Sequence, residues 1–249
     1  MNFVKTDDGT NTLYSKEFDE HYHSISDGAL NESLKKHVEV AFRYLETEDN
    51  EINILDICFG LGYNTLATIY YIERNSLFKD KKINIYSPEL DLELIKSLKN
   101  FHYPSEFDSY KKVIESISDN LEASYKNFNI FVGNRDAREF IKKLDIKFDI
   151  IYQDAFSSLK NPTLWSFEYF SLIREKMKKK SLITTYSIAT NVRLSIYEND
   201  LYIYECNFSK KKSTIALNYK VDLKAVDMER KKRLNPEAKA LFDKNLKKL

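Results

Sequence analysis

Apolar residues recur along this chain with two alternating periods. Residues 52–59, "INILDICF", form a β-branched and nearly continuous run, as in a strand buried on both faces. Residues 64–75 then show helical spacing, and the exchange repeats. Strands are predicted at 82–89, 128–134, 148–156 and 181–187, and helices at 90–101, 136–144 and 164–179. Strands alternating with helices imply a doubly wound α/β architecture, a mostly parallel sheet with right-handed crossovers. Upstream, Leu34, Val38, Ala41, Phe42 and Leu45 share one helical face, with Asn31 as the expected N-cap of a cover helix. Residues 102–126 read as an inserted helical or irregular segment. Residues 201–208 and 214–221 flank a lysine cluster and read as a C-terminal antiparallel hairpin.

At 249 residues with 43% hydrophobic content, the chain can bury one sizeable core. The expected organisation is a single domain over 1–249: a cover element at 1–50, the α/β core at 51–221 and a basic tail at 222–249. Two cysteines and four histidines form no metal-ligand or redox spacing, so a metal-free cytoplasmic protein is expected. The opening residues lack a secretion pattern and no apolar run approaches a membrane span. The formal net charge of +1 favours no partner, but its distribution does. Lysine and arginine gather at 174–180, 209–213, 229–233 and 244–249, which raises the reading of a nucleic-acid partner beside the plainer one of a solvated surface.

Only five glycines are present, and two of them, Gly60 and Gly62, stand one residue apart where the first core strand should end. Such a turn lets backbone approach a ligand at the carboxyl end of a sheet. Thr65 stands where a dinucleotide fingerprint has its third glycine, and no Gly-Lys-Ser/Thr follows. An acid, Asp56, then three residues and Gly-x-Gly resembles the first motif of Rossmann-like S-adenosyl-L-methionine methyltransferases. On that resemblance Glu89, with Asp91 as fallback, would take the ribose hydroxyls, and Asp136 beside Ala137 would read the adenine amine. The plainer readings are a tight turn without ligand and, for each acid, a helix cap.

Residues 149–165, "DIIYQDAFSSLKNPTLW", place an acid at a strand end before Ala-Phe-Ser, Lys-Asn-Pro and Trp. This resembles the MnmC-type methyltransferase family, which transfers methyl to the 5-aminomethyl group of the tRNA wobble uridine. Ser15, Phe18, Tyr22 and "GALNE" (28–32) are similar to the family's N-terminal element. "FGLGYNTL" (59–66) is similar to its Phe-Gly-x-Gly-x-Asn turn, which adds Phe59 and Asn64 to the cofactor set. "TTYSIATNVRLSI" (184–196) resembles its Thr-Tyr-Ser segment. Ser158 departs from the family's proline, "SPELD" from its Glu-Lys, and the last element lacks its glycines.

The resemblance implies that Asp154 orients the amine and also borders the cofactor, with Tyr186 as second catalytic residue. Phe156 and Tyr186 would wall the base, Asn161 and Pro162 shape the loop, and Lys160 and Trp165 contact substrate. Arg193 would hold a phosphate, and Lys211 and Lys212, with Lys210, the backbone of the anticodon loop. Some family members carry a fused FAD-dependent oxidase; residues after 221 are too few for one, so other enzymes are expected to make the aminomethyl group. The plainer readings make Asp154 a buried cap, Trp165 and Tyr186 core aromatics, and Arg193 the partner of an acid. Two alternative functions are methyl transfer to a small or protein amine and a catalytically silent RNA-binding subunit.

Overall fold

The computed structural model describes residues 3–246; residues 247–249, the end of the last basic run, lie outside it. Four two-residue strands come first: β1 (Val4–Lys5), β2 (Asn11–Thr12), β3 (Tyr14–Ser15) and β4 (Glu20–His21). They pair antiparallel as β1 with β2 and β3 with β4. The cover helix follows as α1 (Ala29–Glu32), a π-helical turn (Ser33–Val38) and α2 (Glu39–Tyr44). Asn31 is not its N-cap: that position falls three residues earlier, at Gly28, and the helix starts at Ala29. The carboxylate of Asp8 accepts the Asn31 N–H at 3.0 Å. A distant acid thus caps a turn that local sequence assigned to Asn31.

The core runs β5 (Glu51–Ile57), α3 (Tyr63–Arg74), β6 (Lys82–Glu89), α4 (Leu92–Ser97), α5 (Lys111–Asn120), β7 (Glu122–Tyr125), β8 (Phe128–Asn134), α6 (Ala137–Lys143) and β9 (Phe148–Gln153). It continues through α7 (Phe167–Lys176), β10 (Met177–Thr185), α8 (Thr190–Tyr197), β11 (Tyr202–Cys206), β12 (Ser213–Leu217) and α9 (Met228–Leu234). The main sheet has the order β11-β12-β10-β9-β5-β6-β8-β7. Its five inner strands, β10 to β8, pair parallel, while β7 pairs antiparallel with β8, and β12 antiparallel with both β10 and β11. The expected C-terminal hairpin is therefore present as β11 and β12.

At the centre Ile54 of β5 faces Ile85 of β6 and Ile150 of β9 across the ladder, all fully buried. Residues of this size each contribute about 1.5–3 kcal/mol on burial. One face of the sheet packs beneath α2, α3 and α5, the other beneath α6, α7 and α8. Residues 102–126, in which the sequence pattern shows no strand, supply α5 and the edge strand β7.

Two strands stop earlier than their apolar runs, and both stops matter. β5 ends at Ile57 because Cys58 takes a left-handed conformation, φ 65°, unusual for a side chain with a Cβ. β9 ends at Gln153, so Asp154 is the first residue beyond it. The tail is not loose over its described length. Met228 and Ala240 are buried, Val226 N–H donates to Ile203 O at 2.7 Å, and Arg138 pairs with Asp243 at 2.6 Å.

Candidate active site

A cleft of about 1470 Å³ opens over the carboxyl ends of the parallel strands. Its floor comes from the residues that follow β5 (Cys58 to Leu61), β6 (Leu90, Asp91), β8 (Arg135 to Ala137), β9 (Asp154 to Ser157) and β10 (Tyr186, Ile188). Its roof comes from the β3–β4 hairpin and the loop that leads to α1.

The first half of the cleft is built on the glycine turn. Gly60 has φ 54°, and a Cβ there would meet the ring of Tyr22 at 3.2 Å; Gly62, at φ 73°, precedes α3, and a Cβ would come within 2.9 Å of the Phe59 ring. Only a glycine takes both the conformation and the space. The Gly60 N–H donates to Glu89 Oε2 at 2.8 Å, and the Asp91 N–H to Oε1 at 3.0 Å. Burial pushes the Glu89 pKa up, and those N–H bonds work against the rise. Asp91 caps α4 through Leu94 N–H (2.8 Å) and Asp136 caps α6 through Glu139 N–H (3.1 Å), yet both also line the cleft, as does Ala137.

Asp56 departs from its expected role. It is 1% exposed and lies beneath the cleft rather than on its wall. It accepts from Thr65 Oγ1 at 2.9 Å and weakly from Asn64 Nδ2 at 3.4 Å, so it ties β5 to the first turn of α3. Burial pushes its pKa up to about 7. Phe59 and Asn64 do line the cleft.

The second half is built around Asp154. Its side chain is 13% exposed; Oδ2 accepts from Asn64 Nδ2 at 2.9 Å, and Oδ1 lies 3.4 Å from His37 Nε2. Burial works to raise its pKa, but the charges of His37 and His23 and the bonds from His37 and Asn64 prevail and hold it at about 2. Asp154 is therefore ionised throughout the physiological range. Tyr186 borders the same space, but its hydroxyl donates to Ala155 O at 2.9 Å and burial raises its pKa. It serves as a wall, not as an acid or base. Phe156 stacks on Phe18 at 4.5 Å and meets Tyr22 edge-on at 5.1 Å. Ser157 donates through its N–H to Glu20 at 2.9 Å, and its hydroxyl bonds the same carboxylate. The β3–β4 roof is thus fastened to the loop after β9.

Several expected substrate contacts prove structural. Trp165 is fully buried, donates Nε1–H to Phe156 O at 2.7 Å and supports the loop from below. Pro162 opens a short helical turn (Pro162–Trp165) and does not line the cleft, although Asn161 does. Lys160 pairs with Asp19 at 2.8 Å outside the cleft wall. Arg193, 2% exposed, bonds Thr214 Oγ1 at 2.9 Å and the half-buried Glu205 at 3.3 Å, so its charge is met within the fold rather than offered to a phosphate. Lys211 and Lys212 reach the cleft mouth, where Lys211 Nζ donates to Ser26 Oγ at 2.9 Å and Lys212 pairs with Glu205 at 2.6 Å. Lys210 Nζ donates to Ser26 O at 3.2 Å.

Sequence spacing misses the layer behind these residues. Lys36 joins Asp27 (2.7 Å) and Glu32 (2.8 Å) in a buried ion cluster at the cleft wall. His37 bonds Thr184, 147 residues away. No spacing rule reaches across that distance; of the buried cluster only Glu32 falls within a motif, "GALNE". Carboxylates outnumber lysines and arginines along the lining. Among the described residues no group of three potential metal ligands occurs, and no helix is long and apolar enough to cross a membrane.

Comparison with known proteins gives consistent relatives. Residues 104–220 match a family described as S-adenosyl-L-methionine-dependent methyltransferase. The chain is 31% identical to MnmC2 from Aquifex aeolicus, whose crystal structure superposes with a TM-score of 0.82 over 100% of this chain and 80% of that one. An uncharacterised protein of Methanocaldococcus jannaschii is 30% identical over 218 residues, 87% of this chain and 59% of its own length. The tRNA 5-methylaminomethyl-2-thiouridine biosynthesis bifunctional protein MnmC of Legionella pneumophila is 27% identical over 256 residues, 90% of this chain and 37% of its own. The chain thus spans less than two thirds of either curated relative.

Proposed function

Because this chain belongs to the MnmC-type family of S-adenosyl-L-methionine-dependent methyltransferases, we propose that it methylates the amine of a 5-aminomethyl (or 5-aminomethyl-2-thio) uridine at the tRNA wobble position. The observation that carries this reading is Asp154, an ionised carboxylate at the strand end beside the cofactor turn. An amine is the acceptor that such a group would hold and orient.

S-adenosyl-L-methionine is the family's cofactor, and the residues present fit it. Glu89, fixed by two backbone N–H groups, would take the ribose diol; Asp136 and Ala137 on the cleft wall would border the adenine, and the turn at Gly60 would admit the methionine part. When bound, the cofactor supplies an electrophilic methyl on a sulfonium sulfur. Asp154 attracts the acceptor as an ammonium and accepts its hydrogen bonds; once that ammonium has passed one proton to solvent water at the open cleft, the carboxylate turns the nitrogen lone pair toward the methyl. Holding the reacting atoms in line supplies most of the acceleration in such a displacement. Phe156 and Tyr186, with the roof above them, form an aromatic slot for a base splayed from a single-stranded loop. Lys210, Lys211 and Lys212 at the mouth add electrostatic attraction to the tRNA backbone. This reading places the protein in the cytoplasm, acting after the enzymes that make the aminomethyl group.

The predominance of carboxylates in the cleft also suits a small polyamine, so that acceptor belongs in the same assay. Purified protein with methyl-labelled cofactor is offered tRNA carrying 5-aminomethyluridine, tRNA without it, and a polyamine, and the nucleosides are resolved by mass spectrometry. Label appearing in 5-methylaminomethyluridine supports the proposal. Label only in the polyamine, or in none, rejects it.

A further inference from the structure

The cover helix changes pitch at the π-helical turn Ser33–Val38, and such turns collect at functional positions because the extra residue re-aims side chains. Here Lys36, His37 and Val38 are consecutive and all buried. The charge of Lys36 is answered by Asp27 and Glu32. His37 is placed differently. Its Nδ1 lies 2.9 Å from Thr184 Oγ1 on β10, while Nε2 makes no well-aligned hydrogen bond among the described residues and lies 3.4 Å from Oδ1 of Asp154. A buried ring nitrogen left without a partner costs free energy that native interiors avoid.

An ionised carboxylate only accepts, so the proton facing Asp154 belongs on Nε2, while the Thr184 hydroxyl can donate to Nδ1 or accept from it. Tyr152 meets the ring edge-on at 5.8 Å, and His23 and Asp56 are the other titratable groups whose charges reach it, none of them bonding it.

We propose that His37 is the positioning residue of the acceptor site: clamped at Nδ1 by Thr184, it directs Nε2–H onto Oδ1 of Asp154. Together with Asn64 on Oδ2 it fixes the plane in which that carboxylate meets the acceptor. The inference rests on reading Asp154 as the group that orients the amine. A catalytic hydrogen bond of this length shortens when substrate loads the carboxylate.

The test joins a spectrum to a rate. In the full chain labelled with nitrogen-15 at histidine, His37 carries a proton on Nε2, and Asp154→Asn shifts that resonance. His37→Leu binds S-adenosyl-L-methionine within about twofold of wild type by calorimetry and keeps its KM for aminomethyl tRNA, but loses kcat by about tenfold to a hundredfold, the worth of a hydrogen bond to a charged group. His37→Gln, whose amide nitrogen reaches the same carboxylate, recovers most of the loss. Should His37→Leu fail to fold, the isosteric Thr184→Val gives a smaller fall in kcat. A ring without a proton on Nε2, or wild-type kcat in His37→Leu or in Thr184→Val, overturns the proposal. Wild-type protein that methylates no aminomethyl tRNA refutes the substrate reading alone, and the Nε2 proton with its response to Asp154→Asn still decides whether His37 holds the carboxylate.

Discussion

A carboxylate that stays ionised inside a half-closed cleft needs donors around it, and Asp154 has Asn64 on one oxygen and His37 near the other. Asp154→Asn keeps the shape and removes the charge. It should cut methyl transfer by about a hundredfold to a thousandfold, the usual range for removing one positioned electrostatic contact to the reacting group, while calorimetry finds cofactor affinity within about threefold. A large loss of cofactor affinity would assign Asp154 to the cofactor instead. Asp56, three residues from Phe59, has the opposite chemistry. Its pKa in the fold is pushed up to about 7 from an ordinary 3.8, so the folded state keeps a proton that the unfolded chain releases. Its contribution to stability is therefore greatest below about pH 4 and is lost as pH rises toward 7. Urea unfolding of wild type and Asp56→Asn should show the difference between them moving in favour of Asn by a few kcal/mol over that range, at about 1.4 kcal/mol for each tenfold fall in proton concentration. A constant difference would mean that Asp56 is ionised in the fold. At this scale the sequence exposed the acids at strand ends, because position along a strand sets which end of the sheet a residue reaches. It did not reveal that Trp165 and Arg193 face inward, since a large aromatic or a cation has the same letter in a core as at a ligand.

Among the elements, the turn between β5 and α3 is the most constrained. Gly62→Ala must place a Cβ within 2.9 Å of the Phe59 ring at a left-handed φ. Denaturant titration should register a loss of roughly 1–3 kcal/mol, and cofactor affinity should fall with it. A neutral effect would show that the turn relaxes freely. This turn was legible because both glycines stand out in a chain with so few. The strands at 82–89 and 128–134 were also readable to their ends, since buried parallel strands carry continuous apolar runs. β7 was not, because "EASY" is short and only Ala123 within it is buried. The two-residue strands over the cleft carry no period at all; their pairing is set by what they cover.

For the molecule as a whole, the cofactor and the tRNA act on different properties. A ligand that binds only the folded state stabilises it by about 2.7 kcal/mol at a hundredfold excess over Kd. For a chain of this size that corresponds to roughly 5–11 °C in Tm. Thermal scans with S-adenosyl-L-methionine should show that rise, and no rise would remove the cofactor assignment of the cleft. Charge removal at Lys210, Lys211 and Lys212 should instead weaken tRNA binding and flatten its dependence on salt. Equal slopes before and after would leave these lysines to their contacts with Ser26 and Glu205. Fold class and cofactor were visible in the order of elements and one turn; the buried layer of His37, Lys36 and Asp27 was not, because it forms only when distant segments meet.

The roof adds an element of time. Synthesis delivers the residues of β3 and β4 long before the loop after β9, so they wait unseated until Phe156 and Ser157 are made. Contacts between such separated segments close late, after the sheet has gathered the intervening chain. A partly folded molecule would therefore hold a formed glycine turn and an open acceptor side, with a place for the methyl donor and none yet for the base that receives it.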